Sequence, residues 1–162
     1  MELVLAEIKD APIIHKVMIQ AFQEYETATP PSSALSETVE SIEQGIQAGE
    51  QAFIGYMERE PVAMVRFKLS TQGIYFFRLS VIPERQGQGL AKVLLAKLEQ
   101  FALTNGKTIS QCKVRLNVPR NIKLYRSLGY AVTNKEMAEN RNGSSLAIVT
   151  MEKRLTNEGE FI

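Results

Sequence analysis

The stretch IYFFRLSVIPERQGQGLAKVLLAKL, residues 74 to 98, constrains the fold more than any other part of the chain. Its first nine residues, IYFFRLSVI, read as a strand too continuously apolar to be an exposed edge. Beyond a glycine-rich turn, Leu90, Leu94, Leu95, Leu98, Phe101 and Ala102 recur at helical spacing until Asn105-Gly106 stops the helix. The junction has a chemistry of its own. A helix begins with backbone N–H groups that lack intrahelical partners, and its dipole places partial positive charge there. Together these make an anion site, with phosphate the usual guest. Glycine at 87 and 89 lets a ligand approach the main chain and permits φ > 0, while Ala91 keeps the first helical turn slim.

The elements around this junction follow from periodicity and punctuation. Leu3 to Ile8 alternates roughly as a first strand. Asp10 reads as a helix cap with Pro12 in the first turn, followed by Ile13, Ile14, Val17, Met18, Ala21 and Phe22 at helical spacing. Thr27 to Glu37 is the most loop-like stretch. Ser36 then opens a second helix with Val39, Ile42 and Ile46 on one face and Gly49 closing it. QAFIGYME and PVAMVRFKL read as two strands joined by a short turn at Arg59 and Glu60. CKVRLNV is a further strand, NIKLYRSLGY a short helix ending at Gly129, and YAVTN with LAIVTMEKRL a closing hairpin around the polar loop MAENRNGSS. The order β-α-α-β-β-β-α-β-α-β-β describes an α/β chain around one central, mixed sheet, with no internal repeat and no second domain. The last residues, TNEGEFI, read as a frayed end.

Composition narrows the partners. Of 162 residues, 44% are hydrophobic and 23% charged, as in ordinary globular proteins. Lys and Arg number 19 against 18 Asp and Glu, a balance that gives no reason to expect nucleic acid or an anionic membrane. No apolar run approaches the ~20 residues of a membrane span. The N-terminus lacks the features of a signal peptide. A single cysteine, Cys112, rules out an internal disulfide and any multi-thiolate metal site, so the expected setting is cytoplasmic, with no metal.

Two familiar phosphate loops fail on the residues. A Walker loop ends in Gly-Lys-Ser/Thr, where this chain has Leu90-Ala91. A dinucleotide fingerprint needs a third glycine where Lys92 stands, and it opens a chain's first βαβ unit. Gln86-Gly87-Gln88-Gly89-Leu90-Ala91 instead resembles the pyrophosphate loop of the GNAT superfamily of N-acetyltransferases, Gln/Arg-x-x-Gly-x-Gly/Ala, at every fixed position. RLSVIPERQGQGLA is similar to that family's strand-four signature, NIKLYRSLGY to its second acyl-CoA motif, and VTMEKRL to its usual last strand. The resemblance extends from about Leu3 to Leu155.

That resemblance implies a single domain over residues 1–155 and a tail over 156–162. It implies a mixed, mostly antiparallel sheet of six to seven strands flanked by about four helices, with a bulged, splayed strand pair holding acetyl-CoA. It assigns Leu79, Ser80 and Val81 to the pantetheine arm, with the Val81 N–H near the thioester carbonyl. The pyrophosphate would rest on the N–H groups from Gln86 through Gly87, Gln88, Gly89 and Leu90 to Ala91, with Arg85 adding a charge-assisted contact. Tyr125 occupies the position of the general acid that protonates the departing thiolate. Asn121 matches the asparagine that contacts the cofactor, and it also suits a cap for the short helix.

Plainer readings stand beside these. Tyr125 also fits a core aromatic of a helix. The strand-four glutamate that relays the amine proton in many members is here Tyr75, so no base is identified there. An ordered water held by backbone, or Glu24, Tyr25 or Glu26, would serve instead; the resemblance puts these three beside the acceptor, where the two carboxylates would attract a cationic amine, although a solvated helix end explains them as well. His15 is expected to be a surface or structural residue and Cys112 a packed thiol. Phe53, Tyr56, Phe67, Tyr75, Phe76 and Phe77 read first as sheet core. The leading expectation is acetyl transfer from acetyl-CoA to a primary amine, small or peptide-borne, by direct attack in a ternary complex. The alternatives are a non-catalytic acyl-CoA-binding regulatory module and an interaction protein without a nucleotide ligand. The family's habit of dimerising through terminal strands leaves a homodimer open.

Overall fold

The structure is a computed structural model, and it describes residues 1–23, 32–139 and 145–156. Seven strands form one sheet: β1 (Glu2–Leu5), β2 (Gln51–Met57), β3 (Glu60–Leu69), β4 (Gly73–Val81), β5 (Ile109–Arg115), β6 (Ala131–Glu139) and β7 (Ser145–Arg154). The helices are α1 (Ala11–Phe22), α2 (Val39–Gln47), α3 (Leu90–Thr104) and α4 (Pro119–Ser127). The strand order is β1-β2-β3-β4-β5-β7-β6. Only the β4–β5 ladder is parallel among the registers that follow, so the sheet is mixed and mostly antiparallel, as expected. By contact the residues form two units, Met1–Lys68 with Phe76–Gln100, and Leu69–Tyr75 with the chain from Phe101 onward.

The first unit is built on the antiparallel run β1-β2-β3, in register at Val4–Ile54 and Ile54–Met64. Alternation along β2 divides its residues between two faces. Ala52 and Ile54 join Ile14, Val17 and Met18 of α1 and Ile42 of α2 in one core cluster. Phe53, of opposite parity, stacks on Phe67 at 5.3 Å and carries Lys97 Nζ of α3 at 5.9 Å. Each fully buried Ile, Phe or Met contributes about 1.5–3 kcal/mol through the water it sheds. α1 begins after Asp10 with Pro12 near its start, as the sequence predicts, but the Asp10 carboxylate accepts from the Glu7 N–H instead of capping. α2 is capped by Thr38, not Ser36. Thr38 and Ser41 exchange side-chain and backbone hydrogen bonds, while Ser36 belongs to a 3-10 turn over Ser33–Ser36. The β2–β3 turn falls one residue earlier than expected, at Glu58 and Arg59, with Met57 facing Glu60.

The second unit holds β5 between the first residues of β4 and the hairpin β6–β7. Gly73 starts the parallel ladder at close range, since a Cβ there would stand 2.8 Å from the Ile109 carbonyl oxygen. The ladder spans three pairs, Gly73–Ile109 to Tyr75–Gln111. Beyond it β4 runs on to Val81 and β5 to Arg115, the latter paired with β7. β6 continues through Met137 to Glu139, so part of MAENRNGSS is strand and not loop. Residues 140–144 and 157–162, and with them most of the expected frayed end, lie outside the described residues.

Candidate functional site

The glycine-rich turn has the form its sequence requires. Pro83–Arg85 make one 3-10 turn after β4, Gln86 is extended, and Gly87 and Gly89 adopt φ of +79° and +77°. Nothing lies within 4 Å of where a Cβ would stand at either glycine. They are needed for backbone conformation and not for packing. Gln86 to Gly89 are exposed, and α3 starts at Leu90. The Gln86 N–H already donates to the Pro83 carbonyl at 3.3 Å, which takes it out of the expected donor set. Among the described residues, no hydrogen bond engages the amides from Gly87 to Ala91, and the first backbone bond into the helix is Val93 N–H to Gly89 at 3.2 Å. Five amides at a helix N-terminus therefore lack an intrahelical acceptor, a ready cradle for an oxyanion.

The structure brings this turn to the end of β4. Gln86 Nε2 donates to the Val81 carbonyl at 3.2 Å. Leu79 and Val81 are half-buried, whereas Ser80 is 1% exposed and its hydroxyl donates to the Arg78 carbonyl at 2.9 Å. Arg85 closes the 3-10 turn, with its N–H on the Ile82 carbonyl. In this strand, where the resemblance implies a bulge, Arg78 adopts a φ of +56°.

Asn121 and Tyr125 belong to the second unit, both on α4. Asn121 does not cap the helix. The cap position is Val118, which has no side-chain acceptor, and Asn121 sits at the third helical position, half-buried. Tyr125 is 9% exposed, with its ring edge-on to Tyr130 at a centroid distance of 6.1 Å. Tyr130 shares a 2.6 Å hydrogen bond with Ser110. The tyrosine is thus a packed helix aromatic. Its proposed proton-donor role stands or falls on its hydroxyl. Tyr75 lies in the short parallel ladder opposite Gln111. Glu24, Tyr25 and Glu26 fall outside the described residues.

Two residues behave as expected of structural groups. His15 Nε2 lies 2.9 Å from the Glu37 carbonyl oxygen. Cys112 is 3% exposed, and burial pushes its thiol up to about 12, far from nucleophile range.

An ion-pair network was missed in the sequence. Both oxygens of Glu37 accept from Arg66 Nη1 at 2.9 Å, and Arg66 Nη2 donates to Glu50 at 3.0 Å. Arg78 Nε donates to Glu37 Oε2 at 2.9 Å and its Nη2 to Ser33 at 3.0 Å. Lys68 Nζ lies 3.7 Å from Glu50, and the Arg66 guanidinium stacks 4.9 Å over Phe77. Arg66 is 3% exposed. The signal was available: Arg66 and Arg78 each interrupt an apolar strand, and a cation buried in a sheet demands partners.

Residues 18–130 match the model of the acetyltransferase (GNAT) family, well over half of the chain. No protein of curated function matches it in sequence. Among solved structures, YncA of Salmonella typhimurium, determined with its cofactor acetyl-CoA, superposes with a TM-score of 0.77 at 18% identity, covering 97% of this chain and 95% of its own. The ribosomal-protein-S18-alanine N-acetyltransferase of Escherichia coli gives 0.72 at 20% identity, with 99% of each chain covered. The PaiA N-acetyltransferase of Thermoplasma acidophilum, in complex with coenzyme A, gives 0.75 at 17% identity, covering 95% of this chain and 99% of its own. At these identities the likeness carries the fold, and the family model carries the membership. Through that match over residues 18–130, the chain belongs to the GNAT family of acetyltransferases.

Proposed function

We propose that the chain is an acetyl-CoA-dependent N-acetyltransferase that acetylates a primary amine by direct attack within a ternary complex. The observation that carries this reading is the row of amides from Gly87 to Ala91 at the head of α3, engaged by no hydrogen bond among the described residues and shaped by two glycines at positive φ. It suits a diphosphate, and two neighbours of this fold were solved with acetyl-CoA or coenzyme A.

The chemistry follows from the atoms. A lysine-like amine, with pKa ~10.4, must lose its proton before its nitrogen can attack the thioester carbon. With Tyr75 at the usual glutamate position, no side chain is assigned as base, and the proton leaves to water. The carbonyl oxygen gathers charge as the C–N bond forms. The Val81 N–H is the donor assigned to it, and such a donor is typically worth about 3 kcal/mol. The nitrogen sheds its second proton to water, the C–S bond breaks, and the sulfur takes the phenolic proton of Tyr125, which solvent restores.

Acetyl-CoA at a hundred times its Kd should stabilise the native chain by about 2.7 kcal/mol, visible as a raised Tm. An unmoved Tm rejects the reading. A panel of small and peptide amines, followed by release of free coenzyme A thiol, identifies the acceptor. Binding without consumption by any amine transfers the case to the regulatory-module reading. Tyr125→Phe should lower kcat about a hundredfold while leaving acetyl-CoA affinity unchanged. Unchanged turnover removes the tyrosine from the acid role.

A further inference from the structure

Arg78 combines two features rarely found in one strand residue. Its φ of +56° places a side chain bearing a Cβ in the left-handed region, which only surrounding structure can sustain. Among the described strand residues no other adopts such a value. The residue is gripped at both ends. From below, the buried Ser80 hydroxyl donates to its carbonyl at 2.9 Å. From above, Glu37 and Ser33 hold its guanidinium at 2.9 and 3.0 Å.

Glu37 is itself immobilised from three directions. His15 of α1 meets its carbonyl, its own N–H donates to Ala34, and Arg66 of β3 engages both carboxylate oxygens. Arg66 is almost wholly buried and needs a carboxylate on any account. Arg78, with 24% of its side chain exposed, does not. A second cation on an anion already paired therefore calls for a conformational explanation. A left-handed residue inside a strand changes the aim of the residues that follow it. Those that follow are Leu79, Ser80 and Val81.

We propose that Glu37 is a positioning residue: by clamping the Arg78 side chain it holds the left-handed turn of β4 at that residue, and so the orientation in which the Leu79–Val81 backbone meets an acyl thioester. The inference rests on the acetyl-transfer reading for its functional consequence, but the clamp itself can be observed without ligand.

The test compares Arg78→Ala, Arg78→Gly and Glu37→Gln in the full chain. It measures amide hydrogen exchange at Leu79 to Val81 in the ligand-free protein, acetyl-CoA affinity by calorimetry, and kcat with a reactive amine. Alanine loses the clamp and keeps the strain. Exchange should quicken and affinity fall, each by about tenfold, the scale of coupling within one ion-pair network. Glycine accepts φ > 0 without a clamp and should recover most of that loss. Glu37→Gln should resemble Arg78→Ala and add little on top of Arg78→Gly. Equal impairment of the glycine and alanine variants overturns the proposal, because the side chain would then act directly. So does a Glu37→Gln protein with native exchange and affinity. If Glu37→Gln fails to fold, the two Arg78 variants still decide. Absence of acetyl-CoA binding by the unmodified chain would sink the acetyl-transfer reading alone, and the exchange measurement would still judge the clamp.

Discussion

Gly87 and Gly89 turn at φ of +79° and +77° in open space, whereas Arg78 turns at +56° in the grip of Glu37, Ser33 and Ser80. The first segment owes its shape to residue type: glycine has no Cβ penalty to overcome, and no neighbour helps. The second owes its shape to tertiary contact, with groups arriving from the turn before α2, from β3 and from α1 through His15. One kind of shape survives loosening of the fold and the other does not. A local substitution should therefore damage the glycine turn alone, while damage to β4 can start 41 residues away in sequence, at Glu37.

The largest break should come from Glu37→Ala. It leaves the buried Arg66 with Glu50 alone and releases Arg78, and urea unfolding should show a loss of about 3 kcal/mol, as for other broken buried pairs. A loss below half a kcal/mol would mean that Glu50 suffices. Next comes Gly89→Val, which forces a β-branched residue into the left-handed region. It should cost about 1–2 kcal/mol in stability and weaken acetyl-CoA binding. Gly89→Asn sharpens the comparison, because the space around position 89 is open. Asparagine tolerates φ > 0, so it should cost well under half as much as valine in the same denaturant series. Equal costs would point to a steric requirement instead. The smallest effect concerns the β2–β3 turn, where Glu58 and Arg59 hold φ of 52° and 67° without glycine. Replacing the pair by Asn-Gly suits that geometry and should raise the midpoint of thermal unfolding, by about 0.5–1 kcal/mol in stability.

Much of the fold was legible because its signals are local. The apolar period of α3, the glycine turn and the run IYFFRLSVI lie where the sequence puts them, within a residue or so. The errors have local causes too. Ser36 and Thr38 both satisfy the composition of a cap, and only the reciprocal bonds with Ser41 choose between them. The Glu58–Arg59 turn lacks the Asn-Gly signature that would have fixed its register. β6 is exposed along nearly its whole length, so apolar alternation could not mark where it ends. The resemblance points to the turn and to α4 as candidates, but not to the network about Glu37. That network joins residues far apart in sequence. A lone arginine within an apolar strand announces that it needs a partner without saying which. Asn121 shows the reverse limit: of its two readings, cofactor contact and cap, the cap fails because α4 begins two residues earlier, at Pro119.

The sequestered thiol of Cys112 bears on how turnover can be counted. Colourimetric reagents for sulfhydryls react with the thiolate, and this one is both walled in and held protonated to about 12. In its folded form the protein should contribute almost nothing to the blank at mildly alkaline pH. Colour that develops in such an assay would belong to the coenzyme leaving group, and a rising blank would signal unfolding instead of catalysis.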